Sequence, residues 1–145
     1  MGEAAGISSS PALTHSDFAA LGVTGVTAEN LNEVLAALRA GADDGSEIDT
    51  LDELRSVVGA AVALSRQNAI DIISRYDGTS STTAPTLADF PNAGSTGVTN
   101  TNLASINTAF AEIGITDSDT TADIQGVISG YASILLGADE LTNNT

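Results

Sequence analysis

Apolar residues recur at helical spacing in four stretches of the chain. Leu31, Val34, Leu35 and Leu38 keep a 3-4 rhythm, as do Leu103, Ile106 and Phe110. Leu51, Leu54, Val57, Val58, Ala61 and Leu64 make a third set; Ile124, Val127, Ile128, Tyr131, Ile134 and Leu135 make a fourth. A stripe of this period is the mark of a helix that lays one face on a core. Helices are therefore expected over residues 28–40 and 100–113, and again from Thr50 and Thr120 onward. Two shorter helices are expected over 15–21 and 87–93. Gly22 and Gly94 suit their C-terminal caps, where φ is often positive. Thr27 and Thr99 are read as N-caps, because a Thr hydroxyl can accept a free N–H of the first turn. Gly41 and Gly114 can end the second helices. Thr50-Leu51-Asp52-Glu53 has the form of a capping box, and Thr120-Thr121-Ala122-Asp123 repeats it with Asp in place of Glu. Acidic residues in that first turn also suit the helix dipole.

Residues 51–76 contain no proline and one glycine, Gly59. Ala69, Ile70, Ile72, Ile73 and Tyr76 extend the apolar pattern, so either one helix of about 26 residues, roughly 39 Å long, crosses this stretch or it breaks near Ser65–Asn68. The single shared helix is the favoured reading. Asp77-Gly78 and the Ser/Thr run after it form a polar loop.

The chain also resembles itself. At an offset of 72, ten of the twenty-two positions from Asp17 to Leu38 are identical to those from Asp89 to Phe110. They include Asp17-Phe18, Gly22, Thr24-Gly25-Val26-Thr27 and Asn30-Leu31. A two-residue deletion shifts the offset to 70, and Leu54, Val57 and Val58 then meet Ile124, Val127 and Ile128. The length change falls in Gly/Asp-rich segments near 41–45 and 114–117, where a loop absorbs it. The expectation is an all-α protein of two related three-helix units in tandem, joined by a long shared helix. The first unit (11–65) lacks its opening helix; the second occupies 66–138; residues 1–10 and 139–145 are flexible termini.

Composition narrows the function classes. The 145 residues hold four Arg and no Lys against nineteen Asp and Glu, for a net charge of −15. Nucleic-acid binding needs a basic footprint that this chain lacks. No cysteine is present, so disulfides, thiol catalysis and Cys-ligated zinc are excluded, and without Lys so are Schiff bases and P-loop chemistry. One histidine, His15, makes a His-based metal site or dyad improbable, and it reads as a surface residue. No signal peptide or apolar run of membrane-spanning length is visible, and Met1-Gly2 reads as an expression scar on a piece of a longer chain. Acid groups without basic partners suit salty surroundings, where screening relieves their repulsion.

Candidate chemistry is sparse. Asp43-Asp44-Gly45-Ser46-Glu47 invites a calcium reading, but counting back from Gly45 puts Ala40 at the first ligand position. Asp117-Ser118-Asp119 supplies the first two ligands, yet Ala122 sits where the loop needs Gly and Ile128 where it needs Glu. Both read as solvated turns. Asp17 and Asp89 read as capping or loop-bracing residues rather than a catalytic pair; Phe18, Phe90 and Phe110 fall at core positions rather than on a sugar platform. Tyr76 and Tyr131 read as half-buried rings with wet hydroxyls, the alternative being exposed anchors for a protein partner. No catalytic, metal or cofactor-binding residue is assigned, and no cofactor is expected.

Pro85-Thr86-Leu87-Ala88-Asp89-Phe90, Gly94, Thr96-Gly97-Val98-Thr99, Asn102-Leu103 and Thr120-Thr121-Ala122-Asp123-Ile124-Gln125 together resemble a helical module that recurs in tandem in very large surface proteins of Gram-negative bacteria. It is similar to the GA-like three-helix domains. The resemblance covers most of residues 11–138 and implies a secreted, non-enzymatic repeat that extends a cell-surface adhesin. Its neighbours would be further repeats of the same chain, and the piece itself a monomer. The alternative is a helical module that binds a host or matrix protein. Ser95 in place of Val23 departs from the first copy, and Pro91 is expected to interrupt the short helix of the second; the lysine-rich character of the albumin-binding modules for which GA-like domains are named is missing, so albumin binding does not carry over.

Overall fold

The computed structural model describes residues 12–40, 50–113 and 118–142. The predicted helix ends at Gly41 and Gly114, the 43–47 acidic cluster, Asp117, the length-change segments and the 1–10 terminus lie outside the described residues. Among the described residues there are six helices: α1 (His15–Ala20), α2 (Leu31–Ala40), α3 (Leu51–Ser74), α4 (Asp89–Asn92), α5 (Leu103–Ala111) and α6 (Thr121–Thr142). Among the described residues there is no strand, and the protein is all-α. The chain divides into two compact units, one ending at Gly59 and one starting at Ala60.

The helix starts follow the capping chemistry. Thr50 Oγ1 accepts from the Glu53 N–H at 3.2 Å, and the Glu53 carboxylate accepts from the Thr50 N–H at 2.9 Å, which closes the box at the head of α3. At the head of α6 the Asp123 N–H donates to Thr120 Oγ1 at 3.2 Å, and the Thr120 hydroxyl donates to the Asp123 carboxylate. The long helix is unbroken: α3 passes through 65–68 without interruption and ends at Ser74. α6 runs past 138 to Thr142.

Three expectations need correction. The short helix of the second segment is a single turn, Asp89–Asn92 rather than 87–93, and Pro91 lies inside it. In a first turn the N–H that proline lacks would have no intrahelical acceptor, so Pro91, the third residue of α4, is accommodated there without interrupting it. The second helices begin at Leu31 and Leu103, because residues 28–30 and 100–102 form a turn first. Finally, the apolar set of α6 is not buried throughout. Ile124 and Ile128 are buried and Val127 and Tyr131 pack against them, but Ile134 and Leu135 are 72% and 49% exposed. Leu64 and Leu51 of α3 are also exposed. Periodicity marks a face that can be buried; a neighbouring element decides whether it is.

The core of the second unit joins Ala69, Ile70 and Ile73 of α3 to Phe90, Ala93, Ile106, Phe110, Ile124 and Ile128. The Phe90 and Phe110 rings lie 5.9 Å apart, tilted by 42°, a separation at which aromatic pairs attract. In the first unit Phe18, Val23, Val34 and Val58 are buried. All three phenylalanines are core residues, and with so few aromatics the rest of each core is aliphatic.

Candidate functional site

Asp17 and Asp89, and Asn30 and Asn102, the polar pairs with the most scope for chemistry among those the two segments share, are each committed to their own turn. The Asp17 carboxylate accepts from both the N–H and the hydroxyl of Thr14, each at 2.8 Å. Its pKa is held below the ordinary carboxylate value, first by the Thr14 backbone N–H and then by the Thr14 hydroxyl. The Asp89 carboxylate likewise accepts from the N–H and the hydroxyl of Thr86, at 2.6 and 2.7 Å. Both aspartates brace a helix start.

The corner that follows is built alike in both segments. Gly22 has φ +69° and Gly94 φ +85°. The N–H of Gly22 reaches the Ala19 carbonyl and that of Val23 the Phe18 carbonyl; Gly94 reaches Pro91 and Ser95 reaches Phe90, at 2.9–3.0 Å throughout. This is the paired-bond C-cap of a Schellman motif. It leaves residue 23 or 95 tucked against the phenylalanine, and both are buried. Ser95 is accommodated there because its hydroxyl donates to the Phe90 carbonyl at 2.9 Å, which a buried serine needs and Val23 does not.

Sequence reasoning missed the device after that corner. The Thr27 N–H donates to Asn30 Oδ1 at 2.8 Å, and Asn30 Nδ2 donates to the Gly25 carbonyl at 2.9 Å. Thr99, Asn102 and Gly97 make the same two bonds at 2.7 and 2.9 Å. One amide thus ties a glycine with positive φ, +89° in Gly25 and +95° in Gly97, to the residue that opens the next turn. The signal was present, since Asn30 and Asn102 are among the identical positions. The hydroxyls of the two threonines differ: Thr27 Oγ1 accepts weakly from the Asn30 N–H at 3.4 Å, while Thr99 Oγ1 pairs with Thr101.

In the second unit α6 also clamps the corner. Gln125 accepts from the Thr96 N–H at 2.8 Å and donates to the Thr96 carbonyl at 3.2 Å. The Thr121 hydroxyl donates to the Ala93 carbonyl at 2.6 Å. Arg55, which corresponds to Gln125, brings its guanidinium to 3.3 Å from where a Cβ on Gly22 would stand.

The other candidates are dispersed. His15 and Asp119 are exposed; Tyr76 and Tyr131 are half-buried, the latter against the second core. Ser118 is buried. Among the described residues no group of three or more His, Asp or Glu side chains could hold a metal ion. The polar loop is braced by Asp77, which accepts from the hydroxyls of Thr82 and Thr79 at 2.5 and 2.7 Å and from the Thr79 N–H at 2.9 Å. These bonds, led by that from Thr82, lower its pKa to about 2. An open depression of about 540 Å³ lies beside this loop, lined by Asn68, Asp71, Ile72, Arg75, Thr82 and Thr83. Its one opposite-charge pair, Arg75 with Asp71, is 3.8 Å apart and solvent-exposed.

The surface feature that stands out is apolar. Ile134, Leu135 and Leu136 of α6 are 72%, 49% and 68% exposed, and Leu21, at the end of α1, is 52% exposed. No protein-family model, curated protein or solved structure matches the chain. Among the described residues no helix is long and apolar enough to cross a membrane.

Proposed function

We propose that this chain is a structural segment of a large secreted surface protein, in which two copies of one helical module act as a non-catalytic spacer. The observation that supports it most directly is the use of the shared polar residues. Asp17 and Asp89, and Asn30 and Asn102, all bond within their own turns. What the two segments have in common is therefore a way of turning the chain between helices. A module selected for chemistry would instead share groups that converge on a cleft. The net charge of −15 keeps a long array soluble and discourages its collapse. The resemblance to GA-like modules of Gram-negative adhesins supplies the extracellular, cell-surface setting of the proposal.

The test is to sequence the source gene outward from both ends of this segment. Further copies of the Asp-Phe…Gly-Val-Thr pattern, with a secretion signal at a terminus, are the expected result. A short gene without further copies would overturn the reading. A second function, binding of a host or matrix protein through a helix face, is favoured by the exposed Ile134, Leu135 and Leu136.

A further inference from the structure

The second unit opens with the latter part of α3, and Ala69, Ile70 and Ile73 of that stretch belong to its core cluster. Among the described residues the first unit holds no counterpart of them. The positions that do correspond fall into two sets. Phe18, Val34 and Val58 are as buried as Phe90, Ile106 and Ile128. Leu21 is 52% exposed where Ala93 is fully buried. Leu38 and Leu54 are partly exposed where Phe110 and Ile124 are buried. Ala93, Phe110 and Ile124 share one cluster with the three α3 residues, so the open positions of the first unit are equivalents of ones that a helix closes in the second.

The sequence shows where that helix would stand. At the offset of 72, Gly6, Ser8 and Ser9 are identical to Gly78, Ser80 and Ser81. The counterparts of Ala69 and Ile70 then lie outside this sequence, and that of Ile73 is Met1. α6 carries no substitute, because at the offset of 70 the three residues correspond to the polar Asp139, Glu140 and Asn143. Charge favours an occupant like the α3 stretch itself. Residues 60–76 hold Arg66 and Arg75 against Asp71, whereas residues 1–59 hold ten acidic residues against Arg39 and Arg55.

We propose that the open face of the first unit, around Leu21, Leu38 and Leu54, is the seat of a helix with the chemistry of residues 60–76, delivered by a neighbouring module. Its recognition pattern is Ala-Ile-x-x-Ile with a basic residue on either side. The inference rests on reading the two segments as copies of one module. α3 shows the means of delivery, since it begins in the first unit and ends in the second as one unbroken helix. The apolar residues supply the driving force by leaving water, and the arginines face an acidic unit.

The test adds the helix to the full chain. A second copy of residues 60–77 replaces residues 2–5, directly ahead of Gly6, which reproduces the spacing ahead of Gly78. Amide hydrogen exchange is then followed in both units. The amides of α2 and of the Phe18–Val23 corner should gain at least about tenfold in protection, while those of α5 exchange as in the parent. Ile70→Gln with Ile73→Gln, made in the added copy alone, should return the first unit to the parent's exchange. Equal protection from the added copy and its glutamine version overturns the proposal. So does self-association of the parent in sedimentation velocity that Leu21→Gln abolishes, because a second copy of the chain would then be the occupant. The exchange result is independent of what the source gene holds. No gain in protection, with further copies in the gene, removes this proposal alone; a full gain with a short gene supports it and removes only the spacer reading.

Discussion

The amide clamp of Asn102 gives the sharpest test of how the corner is held. In Asn102→Ala two bonds disappear, that from the Thr99 N–H at 2.7 Å and that to the Gly97 carbonyl at 2.9 Å. A hydrogen bond contributes about 0.5–1.5 kcal/mol net, and water can partly replace partners at an exposed site, so the loss should be about 1–2 kcal/mol. For a unit of this size each kcal/mol lowers Tm by about 4–8 °C, and the predicted drop is about 5–15 °C. Asn102→Asp keeps an acceptor for the Thr99 N–H but has no donor for Gly97, and should fall between parent and Asn102→Ala. The same substitution at Asn30, which is 5% exposed, should cost at least as much because water reaches its partners less easily. The assay is thermal and urea unfolding followed by circular dichroism. An unchanged Tm in Asn102→Ala, or an Asp variant no better than Ala, would refute the view that the amide holds the corner from both sides.

Other substitutions test separate parts of the structure. Gly94→Ala places a Cβ 3.2 Å from Thr121 Cγ2 at φ +85°, and urea unfolding should show a loss of about 1–2 kcal/mol. Gly59→Ala, with nothing within 4 Å of the new methyl, should instead gain up to about 1 kcal/mol from helix propensity in the same assay. Phe110→Ala, at a site 1% exposed and beside Phe90, should cost about 3–5 kcal/mol and expose dye-binding surface. Asp77, with its pKa lowered from 3.8 to about 2, stabilises the loop at pH above the unfolded value, and that contribution fades as pH falls through the folded one. NMR titration should place its carboxyl near 2, and Asp77→Ala should flatten the acid limb of the loop's amide-exchange profile.

Most elements were legible because their signals are local. The Thr50–Glu53 box, the Gly22 and Gly94 caps and the stripe of α2 depend on residues a few positions apart, and short-range bonds follow from short-range sequence. Pro91 was misread because proline's effect depends on its place in a helix, and the start of α4 is set by Thr86 and Asp89 rather than by the apolar pattern. The exposure of Ile134 and Leu135 was illegible for another reason. Their spacing matches that of buried positions, and burial requires a partner element that the stripe itself does not encode. The function of Asn30 and Asn102 lay in plain view as identical residues. Identity marks that a position is constrained, while the two bonds of one amide emerge only from the path of the backbone around it.

Nearly every bond that shapes these corners spans five residues or fewer: Thr14 to Asp17, Thr27 to Asn30, Asn30 to Gly25, and Val23 to Phe18. Closing so small a ring costs little chain entropy, and contacts of low sequence separation form early and fast. A corner of this kind can regain its bonds before the core around it has reassembled. A chain of such units pulled apart by a load would therefore recover these local bonds quickly when the load is released, and in the second corner only the bonds of Thr96 with Gln125 and of Ala93 with Thr121 would wait for α6 to return.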